Sequence, residues 1–361
     1  MSSDLLVVPL FFLLVITAFA IIRLRDLFAA VMLTSMMSLL VAGLFMVMDA
    51  VDVAFTEAAV GAGISTVLML ATLAITQRRE KRRRRKVEPV PLALCLIAGG
   101  LLIYGTLDMP AYGDPEAPIH NYMAPRFLED SVNEVGPPNI VTSVLASYRG
   151  FDTFGETTVV FAAAVGVLLL LGRPLQARRR AGADRAGRPG PRRRPRRRRQ
   201  GRETGRGGGP VRRNRILRVS AKTLVPLIMI FGLYVQFHGD YGPGGGFQAG
   251  VIFAAAVVLY ALVFGLRSAR RAISPRSLEI LVAAGVLLYG SVGLLTMLLG
   301  GNFLSYNTLA HDPLHGQHYG ILFIELGVGL AVAAVMILLF YLFAGRGLRP
   351  ATREAHEEGA P

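Results

Sequence analysis

Two carboxylates, Glu57 and Glu325, stand inside apolar stretches long enough to cross a bilayer. Glu57 lies in AVDVAFTEAAVGAGIST (50–66) and Glu325 in GILFIELGVGL (320–330). A charge at such depth costs roughly 2.5–3.5 kcal/mol on insertion scales unless it is neutralised or faces protein and water. Ala54, Gly61 and Ser65 put Glu57 on a face of small residues, which lets a second helix approach closely. Asp49 and Asp52 stand just above it and extend an acidic ladder towards one surface. The ladder reads as an ion path, or else Glu57 is an interfacial carboxylate that only shapes a helix end. His318 precedes Glu325 by seven residues, two turns along the same face. A stacked His and Glu suit a proton relay, because His titrates near neutral pH. The alternative is a buried Glu hydrogen-bonded to a neighbouring subunit. Lys222, four residues into another apolar stretch, either snorkels to the surface or serves the same path.

The string HGDYGPGGGFQAG (238–250) is the most specific in the chain. Pro243-Gly244-Gly245-Gly246 cannot continue a helix and allows unusual torsions. Irregular backbone at membrane depth is tolerated where it is buried in protein or lines a cavity. No Gly-Lys-Ser/Thr follows, so it is not a phosphate loop. His311, His315 and His318 have metal-like spacing, but Pro313 and Gly316 are expected to interrupt the rigid face a metal needs. Cys95 is the single cysteine, which excludes an intrachain disulfide, a Cys-based zinc site and iron–sulfur ligation. No Ser/His/Asp or Cys/His set suggests hydrolysis. No cofactor is expected, and any redox chemistry would belong to a partner.

The elements that must hold these residues follow from hydropathy and charge. The chain has 361 residues, 53% of them hydrophobic, and its mean hydropathy is +0.48. Spans of membrane length are predicted at 5–22, 27–48, 53–76, 92–107, 155–171, 219–237, 247–266, 278–299 and 319–344. The fourth and fifth are short. Of the 39 Lys and Arg, 36 fall in every second gap or on the C-terminal tail. Basic loops stay cytoplasmic, so the N-terminus is expected outside and the C-terminus inside a bacterial or archaeal cell membrane. Segment 173–218 carries 19 Arg against two acids and accounts for the net charge of +15. It reads as a disordered tether resting on anionic lipid, in preference to a nucleic-acid site. The fold expected is an all-α polytopic membrane protein, with about nine transmembrane helices in two bundles joined by a disordered basic linker. In the long acidic outer loop, 140–148 is apolar enough for a short helix that cannot span.

These strings resemble a known family. His238-Gly239 and Pro243-Gly244-Gly245-Gly246-Phe247-Gln248 resemble the MnhB subunit of Mrp-type multisubunit Na⁺/H⁺ antiporters. Residues 50–61 resemble a three-span D-type module. Asn139 to Glu156, with Tyr148-Arg149-Gly150-Phe151-Asp152-Thr153-Phe154-Gly155-Glu156, resembles a two-span E-type module, and both modules are similar to the C-terminal part of the large A subunit. The same modules occur in membrane-bound hydrogenases related to respiratory complex I. The resemblance implies a three-span module at 1–86, a two-span module at 87–172, a linker at 173–215, a four-span MnhB-like domain at 216–345 and a tail at 346–361. It implies an accessory subunit that exchanges cations with protons only within a complex, and has no activity alone. Its partners would be the large A/D-type and small C/E/F/G-type subunits, with Na⁺ and H⁺ as the ions. An energy-converting hydrogenase-type complex and a purely structural scaffold remain alternatives. Asp240 departs from the family pattern, where a second His or another neutral polar residue is expected.

Overall fold

The computed structural model describes residues 4–74, 76, 78–80, 89–111, 114–171 and 215–346. Ten principal helices run in chain order: α1 (Asp4–Arg23), α2 (Leu27–Val47), α3 (Val51–Leu73), α4 (Pro89–Gly105), α5 (Gly150–Leu171), α6 (Arg215–His238), α7 (Gly246–Phe264), α8 (Leu266–Ala272), α9 (Pro275–Leu298) and α10 (Pro313–Arg346). Eight of them are long and apolar enough to cross a membrane. The span expected at 92–107 is instead the 17-residue apolar helix α4. The linker, apart from Arg215, lies outside the described residues, as do 81–88 and the tail from 347.

Local signals set the helix ends. Asp26 caps α2 by accepting from the Phe28 and Ala29 amides, and it also pairs with Arg78 at 3.0 Å. Ser274 caps α9, with Pro275 in the first turn where its missing N–H costs nothing. Within α3, residues Ala58–Ile64 form a π-helical stretch, a widened turn that is frequent at functional sites.

α10 is the central element. At 34 residues it is about 51 Å long, well beyond a hydrocarbon core of about 30 Å. It packs on α9, α7 and α5, and on the Ser65–Leu73 half of α3. The crossing with α9 is close because both helices present glycine. A Cβ at Gly285 would stand 2.5 Å from the Gly327 carbonyl, and one at Gly327 would stand 2.8 Å from the Gly285 carbonyl. Pro313 and Gly316 do not interrupt α10, contrary to expectation. Proline is tolerated in a first turn, and Gly316 leaves room for the Tyr306 carbonyl.

The N-terminal and C-terminal groups of helices share one core, in which Ile64, Ala146 and Ala164 join Val251, Tyr289 and Val332. Two buried tyrosines pin the join. Tyr289 donates to the Gly150 carbonyl at 2.7 Å, and Tyr306 donates to the Ala146 carbonyl at 3.0 Å. By contrast, α1 and α4 contain no fully buried residue: α1 packs along α2, and α4 is exposed along nearly its whole length.

Candidate functional site: an acidic cavity around the glycine loop

The loop between α6 and α7 is held from three directions. Asn139 lies just before the short helical segment 140–148 and donates its side-chain amide to the carbonyls of Gly239 (2.9 Å) and Gly242 (3.0 Å). Its backbone amide donates to the Asp240 carbonyl at 3.0 Å. Thr142 adds a hydroxyl bond to Gly239 at 2.7 Å. From α3, Asp52 accepts the Gly244 amide at 3.0 Å. From α10, His318 Nδ1 faces the Asp240 carboxylate at 3.0 Å. Burial raises the Asp240 carboxyl above its ordinary value, and His318 pulls it the other way.

The glycines are required by contact with α10. Gly244, Gly245 and Gly246 are buried, and Gly245 has φ +132°, which side chains rarely adopt. A Cβ on Gly245 would stand 3.1 Å from Glu325 Oε1, and one on Gly239 would stand 3.2 Å from Oε2. A Cβ on Gly246 would collide with the Glu325 carbonyl. The loop backbone is therefore laid directly over the Glu325 carboxylate.

Beside it lies a cavity of about 280 Å³ between α3, the 140–148 segment, α5, α7 and α10. Its walls are mainly apolar. Three carboxylates enter it, Asp52 from α3, Glu156 from α5 and Glu325 from α10, together with Thr56, Thr142, Thr153 and Gln248. No Lys, Arg or His is among the described residues that line it. Asp52 and Glu325 are half-buried and Glu156 is exposed; a carboxylate withdrawn from water among apolar walls is stabilised by a nearby positive charge. Threonine and glutamine oxygens and main-chain carbonyls are the hard ligands that suit small cations.

The other residues singled out in the sequence lie as follows. Glu57 is half-buried outside this cavity, with its carboxylate over Gly61 beside Ser38 of α2. Asp49 is exposed at the α2–α3 turn with φ +59°. Lys222 is exposed on α6. His238 stacks on Tyr234 at 4.9 Å, and Phe247 lines the cavity. Arg149 and Asp152 pair at 2.5 Å on the exposed start of α5, and Pro243 is exposed. His315 pairs with Asp312 and His318 with Asp240, so the histidines do not converge. Sequence reasoning misses Asn139, Thr142 and Thr56. An Asn just before an apolar run is a helix-cap signal, which points to Asn139 but not to its bonds with a loop 100 residues away.

Comparison with known proteins bears on these same residues. A family described as a domain related to the MnhB subunit of Na⁺/H⁺ antiporter matches residues 216–338. The MbhD and MbhE families, both described as subunits of MBH, match residues 12–78 and 91–185 respectively. A protein of Staphylococcus aureus strain Newman, provisionally named antiporter subunit mnhB2, is 33% identical over 133 residues. The match covers 36% of this chain and 94% of the relative. The homologue of that name in strain COL gives the same figures. A chain in the structure of the Mrp complex from Dietzia sp. DQ12-45-1b superposes with a TM-score of 0.68 at 26% identity. The likeness covers 95% of this chain and 35% of that one, so this chain spans about a third of the length of its structural relative.

Proposed function

We propose, on the premise that this chain belongs to the MnhB-related family of antiporter subunits, that it is a multi-pass membrane subunit carrying part of a cation and proton path through a larger complex. The path passes through the cavity of Asp52, Glu156 and Glu325. What supports the reading is the meeting of three carboxylates from three separate stretches of chain in one cavity that, among the described residues, no basic side chain lines. Glu325 lies twelve residues, about 18 Å, below the outer end of α10. A proton or a small cation such as Na⁺ neutralises it, and exchange of one for the other is the elementary step of an antiporter. Asp52 and Glu156 hand the ion to it. The glycine loop presents main-chain dipoles at the same point. Other subunits of the complex supply the remaining path, and the N-terminus faces outside with the C-terminus in the cytoplasm.

The test uses everted vesicles containing the assembled complex, with cation-driven proton movement followed by a pH-sensitive dye. Glu325→Gln and Asp52→Asn keep shape and hydrogen bonding but cannot carry charge. Both should assemble and lose exchange with Na⁺, K⁺ and Li⁺ alike. Wild-type exchange in assembled variants would remove the ion path and leave a structural scaffold. A second reading rests on the matches at 12–78 and 91–185, whose families are described by another complex. In it the same module serves as a membrane-arm subunit of an energy-converting complex. Neighbouring genes for a redox subunit would favour that reading.

A further inference from the structure

We propose that the groove between α2, α3 and the last turns of α10 is a binding site for an anionic phospholipid, one acyl chain lying in the groove and the headgroup on the arginines at its mouth. The groove has a volume of about 500 Å³ and is open along one side. Leu27, Ala30 and Thr34 of α2 form one wall, Leu68 and Thr72 of α3 the other, and Phe343 of α10 closes the end. The threonines do not make it polar. Thr34 donates its hydroxyl to the Ala30 carbonyl and Thr72 to the Leu68 carbonyl, each at 2.9 Å, and Thr76 donates to the Thr72 carbonyl at 3.2 Å, so all three hydroxyls are satisfied by nearby main chain. From Leu27 to Thr34 the wall runs about 10 Å along the helix. That depth falls within one leaflet, about half of a hydrocarbon core of roughly 30 Å. The groove does not continue into the other leaflet, as a groove for a crossing helix would.

The headgroup argument is independent of the groove. Arg23, Arg25, Arg78 and Arg79 are all exposed at this end of α1, α2 and α3. Asp26 binds Arg78 at 3.0 Å, and among the described residues no other ion pair engages this group. Arg23, Arg25 and Arg79 are thus free to meet a phosphate at the mouth of an apolar slot. Basic pockets between transmembrane helices bind anionic headgroups in this manner. The lipid would fill the seam where the N-terminal helices meet α10, and so reinforce a join that the protein leaves open.

The experiment uses the intact complex purified in mild detergent, with native mass spectrometry during titration with dioleoyl phosphatidylglycerol or dioleoyl phosphatidylcholine. Wild type should retain phosphatidylglycerol with about tenfold preference. Arg25→Gln with Arg79→Gln changes only exposed side chains and should reduce the preference to roughly twofold or less. Ala30→Phe fills the slot and should lower retention of both lipids, with melting temperature as the check on folding. Equal retention of the two lipids by wild type, or undiminished preference in the double variant, would overturn the proposal. So would efficient cross-linking of Ala30→Cys to another subunit, which would assign the groove to a protein partner.

Discussion

A carboxylate within a membrane-spanning helix is informative only once its surroundings are known, and Glu57 and Glu325 differ in this respect. Glu325 faces a cavity shared with two other carboxylates, whereas Glu57 packs over Gly61 beside Ser38. The expected ranking of variants follows. Glu325→Gln should reduce exchange by about tenfold or more at unchanged assembly, as for a group used in turnover rather than folding. Glu57→Gln should cost less, because its neighbours remain hydrogen-bonding and its charge is outside the cavity. A Glu57→Gln variant that assembles but is as inactive as Glu325→Gln would place the path along the α2–α3 face at Glu57 and Ser38 instead. Asp240 supports a pH prediction. Its carboxyl lies above the ordinary value because of burial, so its protonated form is favoured in the folded loop. That contribution is complete below the ordinary carboxylate value near 4 and is lost as pH rises through the raised value. Asp240→Asn should therefore flatten the pH dependence of loop protection on the acidic side, read by hydrogen exchange across 238–246. An unchanged profile would show that Asp240 does not titrate with the loop.

At the level of elements, the glycine loop is positioned by bonds from segments that precede it by about 100 or more residues. Asn139→Ala deletes two side-chain bonds to the Gly239 and Gly242 carbonyls. A loss of about 1–3 kcal/mol in thermal or denaturant stability is expected, with faster exchange of the loop amides. Gly246→Ala is expected to be worse, because the added methyl meets the α10 backbone at Glu325 and neither main chain can move aside cheaply. A melting temperature for Gly246→Ala equal to wild type would mean the loop and α10 are less closely joined than the geometry gives.

For the whole molecule, the shared core predicts that the two groups of helices associate without a covalent connection. The N-terminal helices reach α7, α9 and α10 through packing and through the bonds of Tyr289 and Tyr306. Splitting the gene at Gly207 and co-expressing both halves should preserve a co-purifying complex and salt resistance. Failure to associate at normal levels of both halves would give the linker a specific role. The apolar faces of α4 and the outer side of α1 lie at the opposite extreme, since no other described helix buries them fully. Reporter fusions after Arg85 and Glu358 should report the cytoplasm and one after Glu116 the outside, which checks the orientation that the arginines imply.

Hydropathy and charge were legible in the sequence because they are sums over many residues. Eight helices of crossing length, the basic gaps between them and the irregular Pro243–Gly246 turn all follow from local composition. The identities of Asp52, Glu156 and Glu325 were also visible, but not their meeting. In the sequence, Asp52 stands with Asp49 and Glu57 as a ladder at the mouth of one span, Glu156 only as part of a motif, and Glu325 with His318. Periodicity along a helix reports which residues share a face and not which other helix that face meets. The convergence depends on α10 lying against α3, α5 and α7 at once, and on Gly239, Gly245 and Gly246, which let a loop backbone rest on Glu325. Both are long-range packing events between segments up to some 270 residues apart, so only the tertiary structure decided that three isolated acids form one site.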